Sequence, residues 1–168
     1  MILLDGEQGE RPSAFSEAWF QKLLLLNRLR HGDEPDCETQ GLAKLEAEFE
    51  TGFGVSAHLA VYGSLAPGQV NHPVVADISG KWIGGLFVRG QMMDEGWGAS
   101  LGFPALRWMM DGAEVAIQLF VSSQLPEHWS RLDEFEGDDY QRILAPVYRG
   151  HELVTVANIY EVRWATAS

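Results

Sequence analysis

A single cysteine, Cys37, stands in 168 residues, so an intrachain disulfide and a multi-cysteine metal site are both excluded. Basic residues are scarce: 12 Lys and Arg face 24 Asp and Glu, a net charge of −12. That balance disfavours loose binding to nucleic acid or to an anionic membrane, though a few placed donors suffice for an anionic small molecule. Long apolar runs are missing too. The four leucines at 23–26 are bounded by Lys22 and Arg28, far short of the ~20 residues that span a bilayer. The start, MILLDGEQGERP, has no basic n-region and an apolar run of only three, which does not read as a signal peptide. The expectation from these absences is a cytoplasmic protein.

Reactive motifs are also few. None of the five histidines (His31, His58, His72, His128, His151) forms an HxH or HExxH pair. Gly63-Ser64 lacks the following x-Gly of a GxSxG nucleophile elbow. No GxGxxG or P-loop occurs, and Cys37 has no partner in sequence. Neither a metal nor a cofactor is expected.

What is present suits one compact domain. Hydrophobic residues make up 46%, with six Trp and eight Phe to fill a bulky core or an apolar cleft. Residues 13–50 read as helices. Ser13 is placed to cap the first, and Phe15, Trp19, Leu23 and Leu26 recur at spacings that share one face. His31-Gly32 and the polar stretch after it end this helix. A second helix fits 38–50, with Leu42, Leu45 and Phe49 as its stripe. Each side of residue 50 carries net −6, so charge marks no boundary there.

From His58 the period shortens to that of strands. HLAVYGS, KWIGGLFVRG, AEVAIQLFVS, YQRILAPVYRG and ELVTVANIYEVRW give five candidates. Gly84-Gly85 inside the second predicts a bulge. Residues 91–105, with three glycines, a proline and no clean period, read as a long, partly extended loop. One helix interrupts the strands: Pro126 opens its first turn, Leu125, Trp129, Leu132 and Phe135 make its apolar stripe, and Gly137 stops it. The order, with two antiparallel hairpins, predicts an α+β fold or a small curved barrel rather than doubly wound α/β. We divide the chain into an N-terminal helical extension, 1–52, and a barrel domain, 53–168.

Carboxylates carry the remaining chemistry. In SRLDEFEGDDYQR, Asp133 and Glu134 diverge from the stripe, whereas Glu136 follows Leu132 by four and flanks the buried face. It also sits in the last turn, where carbonyl ends and neighbouring acids raise a carboxyl pKa. A carboxylate so tuned is a general base; the plain alternative is a solvated acidic helix end. Tyr140 and Arg142 share one side of the next strand and either order such a site or form a surface ion pair. Taken singly, Tyr62 is an aromatic at a strand end and Ser64 a turn hydroxyl.

Taken together, these segments resemble the gamma-glutamylcyclotransferase family, including its AIG2-like branch, over about residues 57–163. Tyr62-Gly63-Ser64-Leu65 with Pro67-Gly68 is similar to that family's substrate loop. Gly102-Phe103-Pro104-Ala105-Leu106 is similar to its internal G-[YF]-P-A-[LM] stretch. Leu132-Asp133, Glu136-Gly137, Tyr140 and Arg142 follow the segment that holds its catalytic glutamate. The resemblance implies an α+β fold, a small mixed or antiparallel curved barrel with flanking helices, whose cavity takes a gamma-glutamyl group. Glu136 would be catalytic, and Tyr62, Gly63, Ser64, Leu65 and Tyr140 would bind substrate, with Arg142, Gly102 and Phe103 in support. The implied reaction closes a gamma-glutamyl amide or peptide into 5-oxoproline and releases an amine or amino acid. The rivals are a lyase acting on a gamma-glutamyl-modified metabolite and a binding or regulatory module, its cavity plugged by Trp97 or by the N-terminal helices. Ala116 departs from the family by standing where many relatives carry glycine. The expected partner is a small gamma-glutamyl substrate, without nucleic acid or membrane, on a monomer or homodimer.

Overall fold

The computed structural model describes residues 15–31, 39–93 and 105–163. Helices α1 (Glu17–Arg30) and α2 (Thr39–Phe53) come first. The cap of α1 is Ser16, not Ser13: its hydroxyl accepts from the Trp19 amide at 3.2 Å, and the helix begins at the next residue. Helix α2 runs three residues further than the sequence stripe predicts. Phe53 continues that stripe and is buried, and Gly54 then takes a left-handed φ of 65° that ends the helix. Trp19 meets Phe49 and Phe53 with ring centroids 5.0 Å away in each case. This aromatic cluster locks the two helices together.

Among the described residues six strands follow: β1 (His58–Val61), β2 (Lys81–Met93), β3 (Ala105–Trp108), β4 (Ala113–Val121), β5 (Tyr140–Arg149) and β6 (Glu152–Val162). Their order is β3-β2-β4-β1-β6-β5, and a further β2–β5 pairing, Phe87 opposite Tyr148, closes five of them into a ring. β1 lies parallel to β6 and the other pairs are antiparallel, so the barrel is mixed. A barrel has no free edges within its ring, and β3 adds an outer strand on β2. The Gly84-Gly85 bulge is present as a register shift between Ile83 and Leu86, with Gly85 at φ 76°.

In the stretch 91–105, read as a partly extended loop, both ends are strand. Gln91–Met93 stay in β2 and pair with Ala105–Arg107 of β3. Backbone pairing sustains these strands where the apolar alternation has lapsed. Gly90 permits the close approach: a Cβ there would meet the Arg107 carbonyl at 2.5 Å. Gly102, Phe103, Trp97, Cys37 and Ser13 lie outside the described residues. Pro126 opens a 3-10 turn (Leu125–Glu127) rather than the helix itself, and helix α4 (Trp129–Glu136) follows. A short helix α3 (Pro73–Ala76), not anticipated from the pattern, sits between β1 and β2.

The continuous apolar run in β5 has a direct explanation. Ile143, Ala145 and Val147 join one core cluster with β2, β4 and β6, while Leu144 joins α1 and α2 in another. Both faces of this strand are covered, so its sequence is apolar without alternation. Leu144 of β5 and Val156 of β6 are the floor on which Leu23, Leu26, Leu45 and Phe49 rest. Each such burial is worth about 1.5–3 kcal/mol. The stripe of α4 (Trp129, Leu132, Phe135) packs in a third cluster with Leu59, Val61 and Leu65. That contact brings the end of α4 beside the segment leaving β1. Among the described residues no helix is long and apolar enough to cross a membrane.

Candidate active site

The segment leaving β1 is cinched by its own side chains. Asn71 donates from its amide N–H to the Ser64 carbonyl and from Nδ2 to Ser64 Oγ, both at 2.9 Å. His72 Nδ1 lies 2.9 Å from the Leu65 carbonyl, which can only accept, so that nitrogen carries the proton. Thus Ser64 is a loop-forming hydroxyl rather than a nucleophile poised by a base. Among the described residues, the N–H groups of Ser64 and Leu65 donate to no protein acceptor. Consecutive amides of this kind can serve an anionic oxygen.

Tyr62 ties three elements together. Its hydroxyl donates to the Tyr160 carbonyl at 2.6 Å and accepts from the Leu106 amide at 3.1 Å. Burial pushes the phenol above its ordinary range; the Leu106 amide opposes this, and the charge of Glu136 adds to it. Tyr62 therefore remains protonated and holds β6 and β3 against the loop. Tyr62 and Gly63 line a cavity of about 530 Å³ together with Gln69, Gly85, Ala116 and Gln118. Ala116, the departure from the family pattern, is thus a wall residue of this cavity. A Cβ built on Gly63 meets no atom within 4 Å, so the protein itself leaves that space clear.

Glu136 is the last residue of α4, which Gly137 closes at φ 77° with its amide on the Asp133 carbonyl at 3.1 Å. The side chain is half-buried. Burial, and next the charge of Asp133, push its carboxyl up to about 7. Burial leads here, whereas the sequence argument rested on the helix end and adjacent acids. A carboxyl at this value can both take and return a proton near neutrality. Its charge acts on Tyr62 and on Tyr160. It is not among the walls of the cavity beside Tyr62 and Gly63, nor of the one between the N-terminal helices and the barrel.

The second cavity, about 590 Å³, lies between the N-terminal helices and the barrel, with Arg30, Asp133, Tyr140, Arg142, Tyr160 and Arg163 among its walls. Tyr140 and Arg142 are both walls of this cavity, whereas Tyr62 and Gly63 line the other; Tyr140 also packs in the cluster that holds Leu65, and its charge acts on Tyr62. Arg142 forms a fork on Asp133 at 2.9 and 3.3 Å and lies 4.5 Å from the Trp129 ring. Tyr160 donates to the same carboxylate at 2.6 Å. Burial, and then this bond, raise the Tyr160 phenol above its ordinary range.

Sequence reasoning passed over several of these groups. Asp133 diverges from the apolar stripe as read and is exposed, yet it is the carboxylate that Arg142 and Tyr160 grip. Glu161 of β6 is buried and accepts from the Trp108 amide at 3.0 Å and from Gln141 at 2.8 Å. Burial raises its carboxyl, against the pull of those two bonds. A charged residue inside an otherwise apolar strand was its one available signal. Asn158, also in β6, had none. Among the described residues no group of three or more His, Cys, Asp or Glu side chains is arranged to hold a metal ion.

The family described as "Gamma-glutamyl cyclotransferase, AIG2-like" matches residues 59–166. Among solved structures, the chain is similar to an AIG2-like protein from Mus musculus, at 25% identity and a TM-score of 0.48, covering 66% of this chain and 80% of that one. It is similar to YkqA from Bacillus subtilis at 19% identity and a TM-score of 0.48, covering 65% of this chain and 36% of that longer one. A protein from Arabidopsis thaliana aligns at 21% identity with a TM-score of 0.46, covering 66% and 70%. No curated protein matches.

Proposed function

The chain belongs to the AIG2-like gamma-glutamyl cyclotransferase family, and from that premise we propose that it cyclises a gamma-glutamyl amide or peptide to 5-oxoproline, with Glu136 as general acid and base. Membership implies gamma-glutamyl-cyclising or lyase-type chemistry at the level of the family. The observation that carries the finer reading is Glu136: a half-buried carboxyl raised to about 7, whose charge is felt by the tyrosine of the candidate substrate loop.

The chemistry asks for such a group. The alpha-amine of the glutamyl unit attacks its own side-chain carbonyl, a new C–N bond closes the five-membered lactam, and the amide C–N bond breaks. Nucleophile and electrophile share one molecule, so holding the folded-back conformer supplies roughly 7–11 kcal/mol of the barrier. The amine arrives as an ammonium without a lone pair. Glu136 accepts that proton and returns it to the departing nitrogen, and the second proton that the ring nitrogen sheds as the lactam forms passes through solvent to the freed amine. The amides of Ser64 and Leu65 would receive either the charge developing on the carbonyl oxygen or the alpha-carboxylate. In this reading Tyr62 and Gly63 shape the wall beside them, and Tyr140 contributes from the second cavity.

The test is release of 5-oxoproline from gamma-glutamyl dipeptides, gamma-glutamyl amines and glutathione, read by mass spectrometry. Glu136→Gln keeps the shape and removes the basicity; turnover should fall ~10²–10⁴-fold. Near-full turnover in that variant would remove Glu136 from its assigned role.

A further inference from the structure

Arg30 stands in the last turn of α1, outside the 59–166 match, with its side chain 11% exposed. Its Nε and Nη2 grip both oxygens of Glu46 from α2 at 2.7 and 2.9 Å, and its Nη1 donates to Asn158 Oδ1 at 2.8 Å. The Asn158 amide cannot turn away. Its Nδ2 donates to the Val55 carbonyl at 2.8 Å and the His58 carbonyl at 3.4 Å, and the residue is 1% exposed. The same Oδ1 also accepts from Arg142 Nη1 at 3.0 Å, and Arg142 spends its other donors on Asp133. Two guanidinium groups therefore share one oxygen and repel each other. Each is held apart from the other by its own carboxylate, Glu46 for Arg30 and Asp133 for Arg142.

We propose that Arg30 is a positioning residue for the reaction: anchored on Glu46 and Asn158, it fixes Arg142 on Asp133, one helical turn from Glu136. Its part in catalysis rests on Glu136 being the acid and base; the chain of bonds from Glu46 to Asp133 does not. This gives the N-terminal helices a task in the site beyond covering β5 and β6. The charged and titratable groups near Glu136 include Asp133 of its own helix, Tyr62 after β1 and Tyr160 of β6, and Arg142 of β5 reaches it through Asp133.

Removing Arg30 orphans Glu46, which lines the same cavity as Arg142, and relieves the repulsion on Arg142. Arg142 moves toward Glu46 and neutralises Asp133 less. The charge on Asp133 then acts more fully on Glu136, which keeps its proton to higher pH. A residue that merely packs α1 would not do this, and Arg30→Lys, which keeps the charge but loses the planar fork on Glu46 and Asn158, separates the movement of Arg142 from the plain loss of a cation.

The experiment is a carboxyl NMR titration of the full chain labelled with ¹³C at glutamate, the Glu136 signal being assigned by its loss in Glu136→Gln. The midpoint should rise by roughly 0.5–1 pH unit in Arg30→Met, the low end of what a nearby charge does to a carboxylate. It should return to the wild-type value in Arg30→Met with Glu46→Gln. An unchanged midpoint in the single variant overturns the proposal, as does a double variant that titrates like the single. Should Arg30→Met fail to fold, Arg30→Lys with and without Glu46→Gln is judged by the same rise and return, smaller in size. The release assay separates this from the reaction itself. A wild-type chain that forms no 5-oxoproline refutes the cyclotransferase reading, while the titration still decides whether Arg30 governs Glu136.

Discussion

Replacing Glu136 by Gln should make the protein more stable at alkaline pH while it disables the proposed chemistry. The carboxyl is moved from an ordinary 4.5 to about 7, burial being the larger cause and Asp133 the second. The folded state therefore holds this proton more tightly than the unfolded chain does. Its contribution to stability is fully present below 4.5 and is lost as pH rises through about 7. At about 1.4 kcal/mol per pH unit, ionising the folded group opposes folding by up to about 3 kcal/mol. Relaxation of the half-buried site lowers that figure, so about 1–3 kcal/mol is the expected gain for the neutral amide at pH 8. For a chain of this length the gain corresponds to a Tm higher by roughly 3–10 °C. At pH 4 the wild-type carboxyl is itself neutral, and the two proteins should melt together within ~0.5 kcal/mol. Thermal melts of both at half-unit steps from pH 4 to 8.5 check the whole curve. A difference that does not grow with pH, or a variant less stable than wild type at pH 8, refutes the view that desolvation governs this carboxylate.

Activity should rise with pH along a limb centred near 7, because the base works only when ionised; a kcat/KM profile of 5-oxoproline release that is flat between pH 5.5 and 8.5 contradicts this. Gly63→Ala adds a methyl where no protein atom lies within 4 Å, so the melting temperature should stay within ~2 °C. The same methyl narrows the cavity wall, and KM for a gamma-glutamyl dipeptide should rise ~10-fold or more. Tyr62→Phe strips the bridge between the Leu106 amide and the Tyr160 carbonyl, and denaturant unfolding should show a loss of about 1–3 kcal/mol.

The legible part of this protein was the part written in local periods. The stripes of α1, α2 and α4 and the alternation Val115, Ile117, Leu119 all fall on buried faces. Strand β3 was not legible, because its four residues are held by pairing with β2 and show no period of their own. The start of α1 was misplaced by three residues for a similar reason: several hydroxyls can cap a helix, and the one that does so is the one beside its first turn. Within the candidate site, Glu136 could be singled out since its place follows from one helix and its stripe. Asp133 could not, as its role depends on Arg142 and Tyr160 reaching it from two other strands.

The amino-acid order by itself determined which segments bury which faces, and where the chain must turn, because those choices are made among neighbours a few residues apart. The closure of β2 on β5, the burial that lifts Glu136 and the oxygen of Asn158 shared by two arginines were decided only in three dimensions. Arg30 and Asn158 are 128 residues apart along the chain and 2.8 Å apart in the fold. Desolvation and hydrogen bonding act through space, and no local pattern encodes which distant groups will meet.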